Sequence, residues 1–279
     1  MPLARVLQVA DGLPSAPRIL AELQVLLNDT NNGLDEITVL LRRDAGLTAR
    51  VIRIANGIVY NKGDPVASLE EALGRIGFNE VYRLAGIAAV AQLAAFELRH
   101  YPFRIQRMRE NSLFVALAAE ELAPLAQLDA RAAFTAGLMR SAGRLAIDVT
   151  VQRDQPYFRA LPLDPAGRLG EWETANFGLG GGEVSEALLR KWKFPYQVYV
   201  PIRDQYLRGL SVDPLPEAKI LNVAAGIADA AGIGLPGEAG YWSEGADERL
   251  QSFDIDAALL ADLSARVQAR FEKMRATLA

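Results

Sequence analysis

The chemistry open to this chain is bounded first by what it lacks. Among 279 residues there is no cysteine and one histidine, His100. Disulfides, thiolate zinc sites, iron–sulfur clusters and thiol nucleophiles are excluded together. Multi-histidine metal centres and paired-histidine acid–base catalysis go with them. Any catalysis would have to come from carboxylates, lysine, tyrosine or hydroxyls, for example Glu183 or Asp204 activating water. Two local features could still attract a ligand. Arg99, Arg104, Arg107 and Arg109 surround His100, Tyr101 and Phe103, a mixture of cations and aromatics that suits a nucleic-acid surface and, more commonly, a solvated interdomain face. Gly178-Leu-Gly-Gly-Gly182 is the glycine-dense loop. No Lys-Ser/Thr follows its last glycine as a phosphate-cradling P-loop requires, so it reads as a flexible lead into a helix.

The balance of charge points the same way. Thirty basic against thirty-four acidic residues leave a net charge of −4, which gives no wholesale grip on nucleic acid or an anionic membrane. Residues 1–20 interrupt their apolar positions with Arg5, Asp11, Pro14, Pro17 and Arg18, so they read as mature protein and not as a signal peptide. The longest uncharged apolar stretch, 84–96, is too short to cross a bilayer. A cytoplasmic protein with no cofactor is the expectation.

The elements that must position these residues are helical almost throughout. Ile19, Leu20, Leu23, Leu26 and Leu27 follow helical spacing, and the polar run 28–33 stops that helix. Asp44 can cap a helix in which Leu47, Val51, Ile54 and Ala55 form one stripe while Arg50, Arg53 and Asn56 lie elsewhere. Ser68-Leu-Glu-Glu71 spells a capping box. Further helices are predicted near 79–98, 104–123, 130–151, 182–193, 196–209 and 214–232. His100-Tyr-Pro-Phe103 is the best boundary, because Pro102 cannot continue a helical ladder. From Gly237 to Asp262 there are seven acids and one base, predicting an acidic, exposed connection. In the last helix Leu260, Leu263, Val267, Phe271, Met274 and Leu278 form one apolar seam, which suits docking on its own bundle or the edge of a homodimer. Trp172, Trp192 and Trp242 read as core or lid anchors. No alternating segment convincingly marks a strand.

Several blocks, in order, carry a family resemblance. Leu13-Pro-Ser-Ala-Pro17, Arg43-Asp44-Ala-Gly-Leu47 leading into Arg53-Ile-Ala-Asn56, and Ser68-Leu-Glu-Glu-Ala72 through Ile76-Gly77-Phe78 resemble the first half of an HDOD domain, the HD-related output domain of bacterial signalling proteins. Thr135-Ala-Gly-Leu-Met-Arg-Ser-Ala-Gly-Arg144 is similar to the stretch that holds the His-Asp pair of HD phosphohydrolases. Phe177-Gly178 through Glu183-Val184, and Leu188-Leu-Arg-Lys-Trp-Lys-Phe-Pro195, resemble the helix that follows. The resemblance spans about 13–230. It implies an all-α fold in which an N-terminal bundle, 1–100, packs on a degenerate HD-like bundle with a C-terminal helix, 101–279.

It also implies that a metal site has been emptied. Asn111 stands where the family's first histidine would precede Ser112, and Arg140-Ser141 where His-Asp would sit. Gly181 and Gln205-Tyr206 stand at further histidine positions, and the last aspartate falls near Ala225, with Asp229 one turn later. A guanidinium cannot ligate a cation, and it repels a unit charge by roughly 4 kcal/mol at ~4 Å in an effective dielectric of about 20, twice that for a divalent ion. Arg140 pairs with a nearby acid or points to solvent, or else, with Asn111, Ser141 and Gln205, makes the old cation pocket a binding place for a small anion or nucleotide. Asp44, Arg50, Arg53 and Asn56 read as helix capping and loop bonding or as a partner-docking surface. The expected function is a non-catalytic regulatory module that contacts signalling proteins such as receiver, kinase or cyclic-dinucleotide-turnover domains. A ligand sensor is the alternative, and a residual phosphohydrolase stands last.

Overall fold

A computed structural model of the chain describes residues 1–13, 16–28, 33–57, 63–209 and 213–275. Pro14 and Ser15 of the first motif block, positions 29–32 of the helix stop, and Leu278 of the terminal seam lie outside them. Every regular element among the described residues is helical, in agreement with the all-α reading. No helix there is long and apolar enough to cross a membrane.

The N-terminal portion comprises α1 (Leu3–Val9), α2 (Ala16–Asn28), α3 (Leu34–Leu41), α4 (Ala45–Ala55), α5 (Leu69–Ile76) and α6 (Phe78–Gln92). Asp44 caps α4 by accepting from the Leu47 amide at 2.8 Å, and Leu47, Val51, Ile54 and Ala55 are its buried stripe. Ser68 caps α5 by accepting from the Glu71 amide at 3.1 Å, and the Glu71 carboxylate reaches back to the Ala67 amide. The Ala-rich α6 is buried along most of its length, packing on α2 and α4. It ends at Gln92 and passes into a 3₁₀ turn, earlier than the 79–98 expected.

The second portion holds α7 (Ile105–Leu122), α8 (Ala130–Met139), α9 (Ala142–Asp154), α10 (Leu169–Phe177), α11 (Gly181–Lys191), α12 (Tyr196–Asp204) and α13 (Pro216–Ala230). The single helix expected over 130–151 is two helices, α8 and α9, broken at Arg140-Ser141, where Ser141 leaves helical geometry at φ −108° and ψ 9°. That break turns both side chains inward, where they are buried. Helix α9 can approach α11 closely because position 143 has no side chain: a Cβ there would lie 2.4 Å from the Gly181 carbonyl and the Ser185 amide.

The acidic stretch after Gly237 is not simply an exposed connection. It contains α14 (Ala239–Ser243) and α15 (Ala246–Gln251) and buries Glu238, Tyr241, Trp242 and Ile255. Six of its seven acids stay outside, but apolar and aromatic residues among them find a core to join. The last helix, α16 (Ala257–Arg275), docks on α7 within the chain. Leu263, Val267, Phe271 and Met274 are buried there, with the Phe271 and Phe114 rings 5.2 Å apart.

Candidate functional site

Side chains from the positions that resemble the HD metal ligands converge on one point, and they meet as an ion-pair network. Arg140, at the α8–α9 break, donates from Nε to Gln205 Oε1 at 2.9 Å, from Nη1 to Asn111 Oδ1 at 2.5 Å, and from Nη2 to both carboxylate oxygens of Glu238 at 3.0 Å. Arg144, one turn later, donates from Nε to Glu173 at 2.7 Å, from Nη1 to the Ser141 hydroxyl at 2.9 Å, and from Nη2 to Glu238 at 3.0 Å and to the Tyr206 hydroxyl. Tyr206 donates to Glu238 at 2.8 Å. Arg140, Arg144, Glu173 and Glu238 are all fully buried. Two guanidinium charges against two carboxylates leave the cluster neutral, which is the condition for burying charge at tolerable cost.

The backbone is built to hold this cluster. The Gly181 amide, at the start of α11, donates to Glu173 at 2.7 Å. A Cβ at that position would come within 2.7 Å of the Glu173 carboxylate and 2.8 Å of the Arg144 stem, so the glycine loop serves close approach to an internal carboxylate. The Gly143 amide donates to Ser185 Oγ at 2.8 Å. Asn111 spends its amide on the Ile233 carbonyl at 2.9 Å, and Asn222 donates to the Gln205 carbonyl at 2.7 Å. Trp242 lies over the Arg140 guanidinium, 5.5 Å from carbon to ring centroid.

The electrostatics follow from burial and these contacts. Burial alone would push the Glu238 carboxyl up, but Arg140 and Arg144 outweigh it and hold it below the ordinary range. Burial opposes the Arg144 charge, and Tyr206, Glu173 and Glu238 more than restore it. Burial drives the Tyr206 hydroxyl well above its ordinary value, so it stays protonated and donates. The cluster therefore does not suit a cation: where a metal would need deprotonated nitrogen or oxygen donors, Arg140 and Arg144 present guanidinium groups. Among the described residues no group of three or more His, Asp or Glu side chains is arranged to hold one.

The anion that Arg140 accepts is thus part of the chain. Of the residues read from the sequence, Asn111, Arg140, Ser141 and Gln205 are brought together; Arg144, Glu173, Tyr206 and Glu238 complete the cluster. Arg144 was legible in one respect: a second arginine one turn after Arg140 in an apolar helix needs an acid. Nothing local marked Glu238 among its acidic neighbours. A cleft of about 640 Å³ leads in from outside, lined in part by Glu173, Gly181, Glu183, Arg203, Asp204 and Tyr206. Its Asp204 is held by Arg203 through two contacts of 2.6 and 2.7 Å, and Glu183 is exposed.

The α4 residues form a separate group. Asn56 donates to the Val66 carbonyl at 2.8 Å and accepts from the Val66 amide at 2.7 Å, tying Val66 to the end of α4. Arg53 is exposed and Arg50 half-buried. Burial, then the charge of Arg50, lowers the pKa of Arg109 on α7, whose Nε and Nη2 have no hydrogen-bond partner. The other arginines near His100 are not one solvated face. Arg107 donates to the Gly234 carbonyl at 2.9 Å and to that of Gly232 at 2.5 Å. Tyr101 and Phe103 are buried, with Tyr101 packed against Phe103, Trp172 and Phe177, and there they cannot stack on bases. Asp148, wholly buried on α9, accepts from the His100 amide at 2.8 Å and faces its Nδ1 at 3.1 Å, fastening the boundary segment.

An HDOD domain model matches residues 13–207. The chain belongs to the HDOD domain family. Solved structures share the HDOD architecture. A candidate phosphohydrolase from Shewanella amazonensis SB2B is 24% identical with a TM-score of 0.69, over 99% of this chain and 98% of that one. An HDOD domain protein of unknown function from Geobacter sulfurreducens is 21% identical with a TM-score of 0.65, over 99% and 96%. A candidate signal transduction protein from Marinobacter aquaeolei VT8 is 18% identical with a TM-score of 0.74, over 95% of this chain and 59% of that one. At such identities the likeness is one of fold. No curated protein matches the sequence. Glu238, the acid that closes the cluster, lies outside the HDOD match.

Proposed function

We propose that this HDOD protein is a non-catalytic regulatory module of bacterial signal transduction, acting in the cytoplasm by contact with signalling proteins such as receiver, kinase or cyclic-dinucleotide-turnover domains. The observation that carries the reading is the neutral Arg140–Glu238–Arg144–Glu173 cluster, in which Arg140 puts a guanidinium at a position that resembles an HD metal ligand and the chain's own carboxylates neutralise it. A module without a nucleophile generator acts through its surface, and on α4 Arg50 and Arg53 supply charge for that contact. The test has two arms. Phosphatase and cyclic-nucleotide phosphodiesterase assays with Mn²⁺, Mg²⁺ and Fe²⁺ are expected to give no turnover above a Tyr206→Phe control; robust turnover lost in that variant overturns the reading. Co-purification from the native cell is expected to capture a signalling protein that an Arg50→Glu, Arg53→Glu variant loses while still folding.

A second reading, a sensor of a small anion or nucleotide, is favoured by the cleft that reaches Glu173 and Tyr206. The anion would take the place of Glu238 at Arg140. Glu238→Gln is then expected to bind it more tightly than the natural chain in a calorimetric nucleotide panel, and absence of heat with both proteins counts against sensing.

A further inference from the structure

The two most exposed large apolar side chains among the described residues stand four positions apart, on the segment 155–168 that joins α9 to α10. Tyr157 is 94% exposed and Leu161 66%. Apolar residues scattered singly over a surface are ordinary, whereas two on one short segment form a patch.

That segment has no regular secondary structure, yet its backbone is fixed. Leu161 is tied to α10 twice, its amide donating to Asn176 Oδ1 and its carbonyl accepting from Trp172 Nε1, each at 2.7 Å. The Phe158 amide donates to the Gln155 carbonyl at 2.9 Å, and the Phe158 ring lies 5.6 Å from His100 and 5.8 Å from Phe177. Phe158 and Ala160 pack on the core, so Tyr157, Arg159 and Leu161 alternate with them on the outside. Side chains presented by a pinned backbone spare a complex the cost of ordering the loop, and tyrosine and arginine are the residues that most often anchor interfaces.

Charge selects the partner. Arg153 and Arg159 are exposed and form no ion pair among the described residues. The acids near them are engaged elsewhere: Asp154 by Arg5 at 2.6 Å, Glu97 by Arg99 at 3.3 Å, and Asp164 by the Ala166 amide at 2.8 Å. We propose that Tyr157 and Leu161 anchor a partner protein through an acidic surface segment, whose carboxylates meet Arg153 and Arg159 while its apolar residues cover the two anchors. The patch rests on the regulatory role proposed above and gives it a contact surface besides Arg50 and Arg53. Two apolar side chains are too few to hold a membrane interface, and one exposed ring on a chain of net charge −4 is a poor track for nucleic acid.

A phage-displayed library of short random peptides, selected on the full chain, supplies the probe. The selected peptides are expected to be rich in Asp and Glu together with Leu or Phe. They should bind Tyr157→Ser and Leu161→Ser about tenfold more weakly than the natural chain. An Arg153→Glu, Arg159→Glu variant should lose about as much affinity as the natural chain loses in about 1 M salt, where the Debye length is ~3 Å. All four positions are exposed, so the helical circular-dichroism signal should not change. No enrichment, a selection without acidic bias, or peptides that bind these variants undiminished overturns the proposal. Phosphatidylglycerol vesicles and oligothymidylate are expected not to bind, and binding of either that the same variants lose overturns it in favour of that class. The regulatory role is judged apart: if native-cell capture yields the same signalling protein with Tyr157→Ser, Arg159→Glu as with the natural chain, the patch falls and that role stands.

Discussion

One nitrogen of Arg140 meets both carboxylate oxygens of Glu238 at 3.0 Å, with both side chains completely removed from solvent. The partners are 98 positions apart in the chain, so this contact fastens the C-terminal segment to the centre of the HD-like bundle. Glu238→Gln leaves two buried guanidinium groups facing Glu173 alone, and is expected to lower unfolding stability by about 3–5 kcal/mol. Urea denaturation measures it. Replacing the pair with apolar residues, Arg140→Met with Glu238→Leu, is expected to recover much of the loss, because it removes the unpaired charge along with the contact.

The same carboxyl sets an acid limit. Burial raises its pKa, Arg140 and Arg144 lower it by more, and the folded value lies below the unfolded one. A depressed carboxyl gives stability that is complete above the unfolded pKa of roughly 4.3 and is lost as pH falls through the folded value. The urea midpoint should therefore fall on acidification below about pH 4.3, and fall less steeply in Glu238→Gln. Equal slopes would contradict the assignment.

Gly143→Ala tests the closeness of α9 and α11. The added methyl would sit 2.4 Å from main-chain atoms of Gly181 and Ser185, and backbone cannot move aside as a flexible side chain can. Overpacking of this kind costs about 1–3 kcal/mol. The melting temperature should fall accordingly.

Asn56→Ala removes both bonds to Val66. A loss of about 1–3 kcal/mol is expected. Hydrogen exchange at the Val66 amide should accelerate, which a variant that merely shortens a side chain elsewhere on α4 would not cause.

Arg50→Glu places an acid beside Arg109, whose buried guanidinium has unbonded nitrogens and is burdened by burial and by the charge of Arg50. Because Arg50 is partly exposed, the gain is expected to be modest, up to about 1 kcal/mol. A higher melting temperature together with loss of the captured signalling partner would separate the surface role of Arg50 from a structural one.

Much of the fold was legible because it is written locally. Asp44 and Ser68 cap their helices as their spacing requires, and the apolar stripes of α4 and α16 are buried. The break between α8 and α9 was not legible, since Arg140-Ser141 carries no glycine or proline, and tertiary bonding overrides helix propensity there. The acidic connection misled for a related reason: composition reports an average, and Glu238 departs from it.

What the sequence alone determined is an all-helical HDOD protein with an arginine at a position that resembles an HD metal ligand, because helical spacing, caps and residue type act at short range. Which acid neutralises that arginine, and that the chain's own Glu238 does so in concert with Arg144, Glu173 and Tyr206, was decided only by the tertiary structure. A buried charge is indifferent to sequence distance; it needs an opposite charge close in space, and only folding sets that proximity.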